Sequence, residues 1–206
     1  ILVTVAGATP YPAANSIDFL AYIDFMQDVA ALGPDGIEVW NEMNIDFEWP
    51  AGQISPSSYV NNMLAPVYTA VKAVDSDILV ISGALAPTGF DNNTNAWSDA
   101  RYLAGMRNAG AANYLDCIGV HYNAGATAPS ATAGHPADSG DRHYSWYYQP
   151  TLTLYSNTFS GRRDLCLTEF GYLTADGFDA LPAGFSWAAN TTLNQQATWL
   201  AEAAQI

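Results

Sequence analysis

Apolar residues along this chain fall into short continuous runs, separated by longer segments in which they recur every third or fourth position. The runs are Ile1–Gly7, Ile37–Trp40, Ile78–Leu85, Cys117–Tyr122 and Leu165–Phe170. Each is rich in Val, Ile or Leu without clean polar alternation, the pattern of strands buried on both faces of a parallel sheet. The intervening segments read as helices. Ser16 is placed to cap one that carries Leu20, Ile23 and Met26 on its inner face and stops near Gly33. Ser55 before Pro56 opens a second, with a stripe of Val60, Met63, Leu64, Val67, Val71 and Val74. Trp97–Met106 forms a third and His143 to Tyr155 a fourth. Thr191 or Thr192 caps the last, with Leu193, Ala197, Leu200 and Ala204 turned inward.

Strand–helix alternation of this kind means an α/β fold with right-handed crossovers. A doubly wound open sheet and a barrel both fit the pattern. A closed (β/α)8 TIM barrel needs eight strand–helix units in ~250 residues; 206 residues supply five here. On the barrel reading, residues 1–206 are one catalytic domain covering the third to the seventh unit, incomplete at both ends. Ile1 opens inside a strand, so an upstream segment is expected. The remaining strands are expected from another part of the polypeptide or from a partner chain, because open parallel edges leave backbone groups without partners.

Composition narrows the function. Half of the residues are hydrophobic and 13% are charged, which excludes intrinsic disorder. The net charge is −14, with Lys72 the only lysine. Such a surface repels nucleic acid and anionic membranes, whereas a neutral polysaccharide meets no such penalty. No run of ~18 apolar residues is present to span a bilayer. Cys117 shares strand parity with His121, and Cys166 opposes Glu169, so a mutual disulfide is not expected.

Two glutamates stand where buried strands run into loops: Glu42 in Ile37–Asn44 and Glu169 in Leu165–Gly171. Barrel active sites are built at the carboxyl ends of the strands. Glycosidic cleavage needs two carboxyl groups, one to protonate the leaving oxygen and one to attack the anomeric carbon, ~5–5.5 Å apart in retaining enzymes. Metal catalysis would need clustered ligands, and the three histidines, His121, His135 and His143, are scattered. Neither a phosphate-binding glycine loop nor a Gly-x-Ser-x-Gly elbow follows any strand. No metal or cofactor is therefore expected.

The stretch Trp40-Asn41-Glu42-Met43-Asn44 resembles the Trp-Asn-Glu-Pro-Asn signature after the fourth strand of clan A glycoside hydrolases. Leu167-Thr168-Glu169-Phe170-Gly171 resembles the seventh strand of the same clan. The resemblance covers the whole chain and implies a retaining glycosidase on a (β/α)8 barrel. Position by position it implies Glu42 as acid/base, Asn41 as its partner on the sugar 2-hydroxyl, and Glu169 as nucleophile. Met43 stands where the clan usually has proline.

A His or Tyr ending the clan's sixth strand lies beside the nucleophile, which points to His121 and then Tyr122. Trp40 and Trp187 are candidate sugar contacts, Trp40 because it shares the strand parity of Glu42. Glu38 shares it too, and would find its partner in the strands outside this chain. The expected substrate is a poly- or oligosaccharide, and the expected location is secreted or extracytoplasmic. A catalytically inactive carbohydrate-binding barrel fragment is the alternative from another class.

Overall fold

A computed structural model of the chain describes residues 1–7, 17–177 and 179–206. Five parallel strands are hydrogen-bonded in chain order: β1 Leu2–Val5, β2 Gly36–Val39, β3 Leu79–Ser82, β4 Cys117–Gly125 and β5 Asp164–Tyr172. The register runs Val3 to Ile37 to Val80 across the first three. A doubly wound sheet reverses its strand order at a switch point. No reversal occurs here, and right-handed crossovers then put every helix on one face. That is the wall of a (β/α) barrel, five of its eight units, and it settles the choice the apolar pattern leaves open.

The helices are α1 Phe19–Ala30, α2 Pro56–Tyr59, α3 Ala65–Val74, α4 Asp99–Asn108, α5 Tyr148–Thr158 and α6 Leu193–Ala203. Between α2 and α3 the chain makes a π-turn, Val60–Leu64. Pro66 accounts for it: proline cannot donate to the preceding turn and its ring crowds the carbonyl four residues back, so the turn widens. The expected cap at Ser16 lies outside the described residues. Asp18 caps α1, accepting from the Ala21 N–H at 3.0 Å. The inner face of α1 is Tyr22, Met26 and Val29, while Leu20 points to solvent. Tyr22 goes inward because its hydroxyl finds the Val5 carbonyl at 2.6 Å. The last helix differs in the same way: Trp199 and Ala203 turn inward, and Leu193 is exposed.

The chain forms two compact units: residues 1–121 with 155–168, and residues 122–154 with 169–206. In unit 1, Ile37, Val80 and Ile118 from the strands and Met26, Met63 and Val67 from the helices are fully buried. Fully burying such a side chain stabilises by about 1.5–3 kcal/mol. Tyr59 joins β2 to β3, donating to the Val39 carbonyl and accepting from the Gly83 N–H. Gly83 has to be glycine, since a Cβ there would lie 2.6 Å from the Val39 carbonyl oxygen. At the amino-terminal ends of the strands, Leu2, Leu79, Ile81, Cys166 and Leu167 line an open cavity of about 300 Å³.

Cys117 and Cys166 form a disulfide within unit 1, contrary to the expectation from alternation. The inversion came from the reference residue. Cys166 shares parity with Thr168, whose hydroxyl reaches Glu38, so the face carrying Cys166 is the one turned to the strand interior. Glu169 has the opposite parity and is no guide to that face.

Unit 2 is built on rings. Tyr122 packs edge-on against Tyr148 and Tyr172, and Tyr172 packs on Trp199 of α6. Gly125 permits the approach of Tyr172, as a Cβ would lie 2.3 Å from its ring. Thr192 caps α6 in a reciprocal capping box with Gln195. Among the described residues no helix is long and apolar enough to cross a membrane.

Candidate active site

β2 ends at Val39, and the next residues leave strand geometry at once. Trp40 has φ +74° and Glu42 φ +39°, a left-handed region that non-glycine residues enter at a cost of about 1–3 kcal/mol. The turn is held from both sides. The Trp40 N–H donates to Val5 at the end of β1, and the Glu42 N–H donates to Ala84 beyond β3. Asn44, fully buried, bonds Ala86 through both its N–H and its carbonyl and also donates to the Trp97 carbonyl. Such strain persists only where surrounding bonds over-determine it. Asn44 sets this turn and was given no role by sequence reasoning. Its signal was the second asparagine of the stretch Trp40-Asn41-Glu42-Met43-Asn44.

The turn presents Glu42 with 22% of its side chain exposed, its carboxylate 3.0 Å from Nδ1 of a fully buried His121. His121 is therefore a partner of Glu42, a pairing that sequence reasoning had not drawn. Asn41 lies half-buried in the same turn. Met43, in place of the clan's proline, is fully buried.

Trp40 is corrected from sugar contact to core. It exposes 1%, packs edge-on against Tyr22 and Trp49, and its indole N–H donates to the Glu48 carbonyl. The positive φ breaks the strand alternation on which its assignment rested. Glu38 keeps that alternation and is buried. Its carboxylate accepts from Thr4 at 2.6 Å, Thr168 at 2.8 Å and the Ala84 N–H at 3.0 Å. Its partners thus lie within the chain, on the flanks of β1, β3 and β5.

In unit 2, Glu169 is exposed and its carboxylate accepts from the Asn123 amide at 2.7 Å. Asn123 is part of β4, two residues beyond His121. Tyr122 is corrected to packing: it is fully buried, its hydroxyl donates to the Trp146 carbonyl, and burial pushes its pKa well above the usual phenol range. Trp187 stays half-exposed in the 3-10 turn Ala183–Ala188, its indole N–H donating to the Gly184 carbonyl.

No protein-family model matches the sequence, and no curated protein does. Among solved structures, the chain is similar to a GH128 (subgroup II) endo-β-1,3-glucanase from Sorangium cellulosum. The identity is 19% and the TM-score 0.50, over 99% of this chain and 63% of that one. It also aligns with the GH53 catalytic domain of Ignisphaera aggregans, at 17% identity and a TM-score of 0.49 over 91% of this chain and 50% of that one. The first likeness supports the barrel fold. This chain thus spans less than two thirds of the length of either structure.

Proposed function

We propose that this chain carries the reacting groups of a retaining glycoside hydrolase that cleaves O-glycosidic bonds in a poly- or oligosaccharide. The observation behind this reading is local to each glutamate. Glu42 and Glu169 both stand at the carboxyl end of a strand, the end where barrels build their sites. Each is bonded by a side chain from β4, Glu42 by His121 and Glu169 by Asn123.

The two partners suit different roles. An imidazole can give or take a proton, as the neighbour of an acid/base must allow. The Asn123 amide nitrogen can only donate, so it bonds an acceptor oxygen, the form a nucleophile uses. In the first step Glu169 attacks the anomeric carbon while Glu42 gives its proton to the leaving oxygen, and a glycosyl-enzyme forms. In the second, Glu42 takes a proton from water as that water attacks the anomeric carbon and releases Glu169. Asn41 would bond the sugar 2-hydroxyl. No cofactor is needed. The mechanism requires the two carboxyl groups ~5–5.5 Å apart.

Further strands, from the same polypeptide or a partner chain, belong to this reading. So does a secreted or extracytoplasmic location, which the disulfide supports because such bonds persist in oxidising surroundings.

The test uses activated aryl β-glycosides with the longest form of the protein, alongside soluble β-1,3-glucan and xylan. Glu42→Ala should still form the glycosyl-enzyme from an activated substrate, and azide should restore turnover and yield the β-glycosyl azide. In Glu169→Ala, azide should attack from the opposite face and yield the α-azide. The same anomer from both variants, read by proton NMR, would overturn the assignment of roles.

A further inference from the structure

Unit 2 contains a set of rings that the two carboxylates do not use. The loop after β4 supplies His135 and Trp146, and the 3-10 turn after β5 supplies Phe185 and Trp187. The His135 imidazole is 3% exposed and packs against two half-exposed indoles. Trp146 stacks on it at 4.7 Å with planes 20° apart, and Trp187 lies at 5.2 Å with planes 45° apart. Phe185, 49% exposed, continues the row 6.3 Å from Trp187.

This group is held rigidly. The Nε2–H of His135 donates to the Ala124 carbonyl at 2.8 Å, and Nδ1 accepts from the Ala137 N–H at 3.1 Å, so both ring nitrogens are committed. Its backbone N–H donates to the Tyr147 hydroxyl. The Trp187 indole is fixed by its bond to Gly184. Burial holds the His135 pKa below its usual value, so the brace is neutral. A solvent-facing indole with no role other than packing has no need of such support. Two indoles steadied from behind by one buried imidazole form a preorganised surface, which loses little side-chain entropy when a ligand covers it.

The ligand class follows from shape and charge. Flat aromatic faces accept the apolar C–H faces of pyranose rings. Bases of nucleic acids also stack on aromatic rings, but their phosphates are repelled by a chain of net charge −14. We propose that Trp146 and Trp187, braced by His135, are a binding surface for the pyranose rings of a glycan chain. This rests on the glycosidase reading and deepens it, assigning the protein a polymeric substrate.

The experiment separates the two claims by measuring binding without turnover. Glu169→Ala serves as the parent, and its migration in native gels containing soluble β-1,3-glucan or xylan reads affinity. Trp146→Ala and Trp187→Ala should each weaken retardation on the order of tenfold, the scale of one lost aromatic contact of ~1.4 kcal/mol. Trp146→Phe and Trp187→Phe, which keep a stacking face and the fold, should retain most of it. Circular dichroism identifies any variant that has not folded, and the Phe pair then decides. Retardation that depends on the indoles supports the surface even if no aryl glycoside is ever turned over, in which case the catalytic reading alone fails. Absence of retardation by either polysaccharide, or retardation equal in parent and Ala variants, overturns the proposal.

Discussion

In unit 1 the space between strands and helices is filled by Met26, Ile37, Met63, Val67, Val80 and Ile118, all fully buried. In unit 2 it is filled by Tyr122, Tyr147, Tyr148, Tyr172 and Trp199. Aliphatic burial has no direction, so unit 1 is specified by area and shape. A buried tyrosine must also place its hydroxyl. Tyr148 reaches the Ala203 carbonyl, Tyr122 the Trp146 carbonyl and Tyr147 the Asp138 carboxylate. Unit 1 adds a buried carboxylate, Glu38, and a covalent tie to its own ring hydroxyls on Tyr22 and Tyr59, whereas unit 2 relies more heavily on ring hydroxyls. Unit 1 is therefore expected to fail at a few decisive points, and unit 2 by small increments.

The largest effect should come from the covalent tie. Replacing Cys117 and Cys166 by Ala opens a link spanning 49 residues. The chain-entropy relation gives about 4 kcal/mol for a loop of that length, measured as a lowered urea midpoint. A loss under about 1 kcal/mol would mean that unit 1 does not depend on the tie. Next is Glu38→Ala, which leaves the donors on Thr4, Thr168 and Ala84 without their acceptor. About 3 kcal/mol is expected. Glu38→Gln, which keeps one acceptor oxygen, should cost roughly half as much. Equal losses would show that cavity formation, not hydrogen bonding, governs the site.

The same contrast explains which parts of the molecule were legible in the sequence. The five strands and most of the α2–α3 stripe, Val60, Met63, Leu64, Val67 and Val71, could be read directly from aliphatic periodicity, while Val74 at the end of that stripe is 43% exposed. The faces of α1 and α6 could not, because Tyr22 and Trp199 take inward positions only when a particular partner is present. Glu42 and Glu169 were legible from motif and strand end. The partners His121 and Asn123 depend on neighbours 79 and 46 residues away, which no local pattern encodes. Trp40 was misread for a backbone reason, since parity does not survive a residue at φ +74°. Glu38 and the cysteines belong to one misjudgement, that β5 turns the parity of Glu169 rather than that of Thr168 toward the strand interior.

Within unit 2 two tyrosines should behave in opposite ways. Tyr148→Phe removes the bond to Ala203 and should cost about 1 kcal/mol. The Tyr172 hydroxyl is buried and has no hydrogen-bond partner among the described residues. Tyr172→Phe removes that unpaired group and should be neutral or stabilising by up to ~1 kcal/mol. Chemical denaturation of both variants decides the matter, and a clear loss in Tyr172→Phe would show that its hydroxyl is satisfied in solution.

The smallest effect should be one of pH, confined to the loops around His135. Burial lowers its pKa in the folded chain, against the weaker pull of the Ala124 carbonyl and Asp138, which favour the charged form. In the unfolded chain it titrates near the ordinary value of ~6.5. Between the lowered value and ~6.5 the unfolded state therefore holds more protons, and stability rises with pH. The contribution is complete above ~6.5 and is lost as the pH falls through the folded pKa. Protonation would also put a hydrogen on Nδ1, where the Ala137 N–H now donates, so the ring could no longer accept that bond. Amide exchange at residues 135–147 should accelerate as the pH is lowered from 7 toward 5, after correction for the intrinsic rate. The acceleration should be absent in His135→Gln, which cannot titrate. His121 and His143 are present in both proteins, so the same dependence in the variant would show that His135 is not its source.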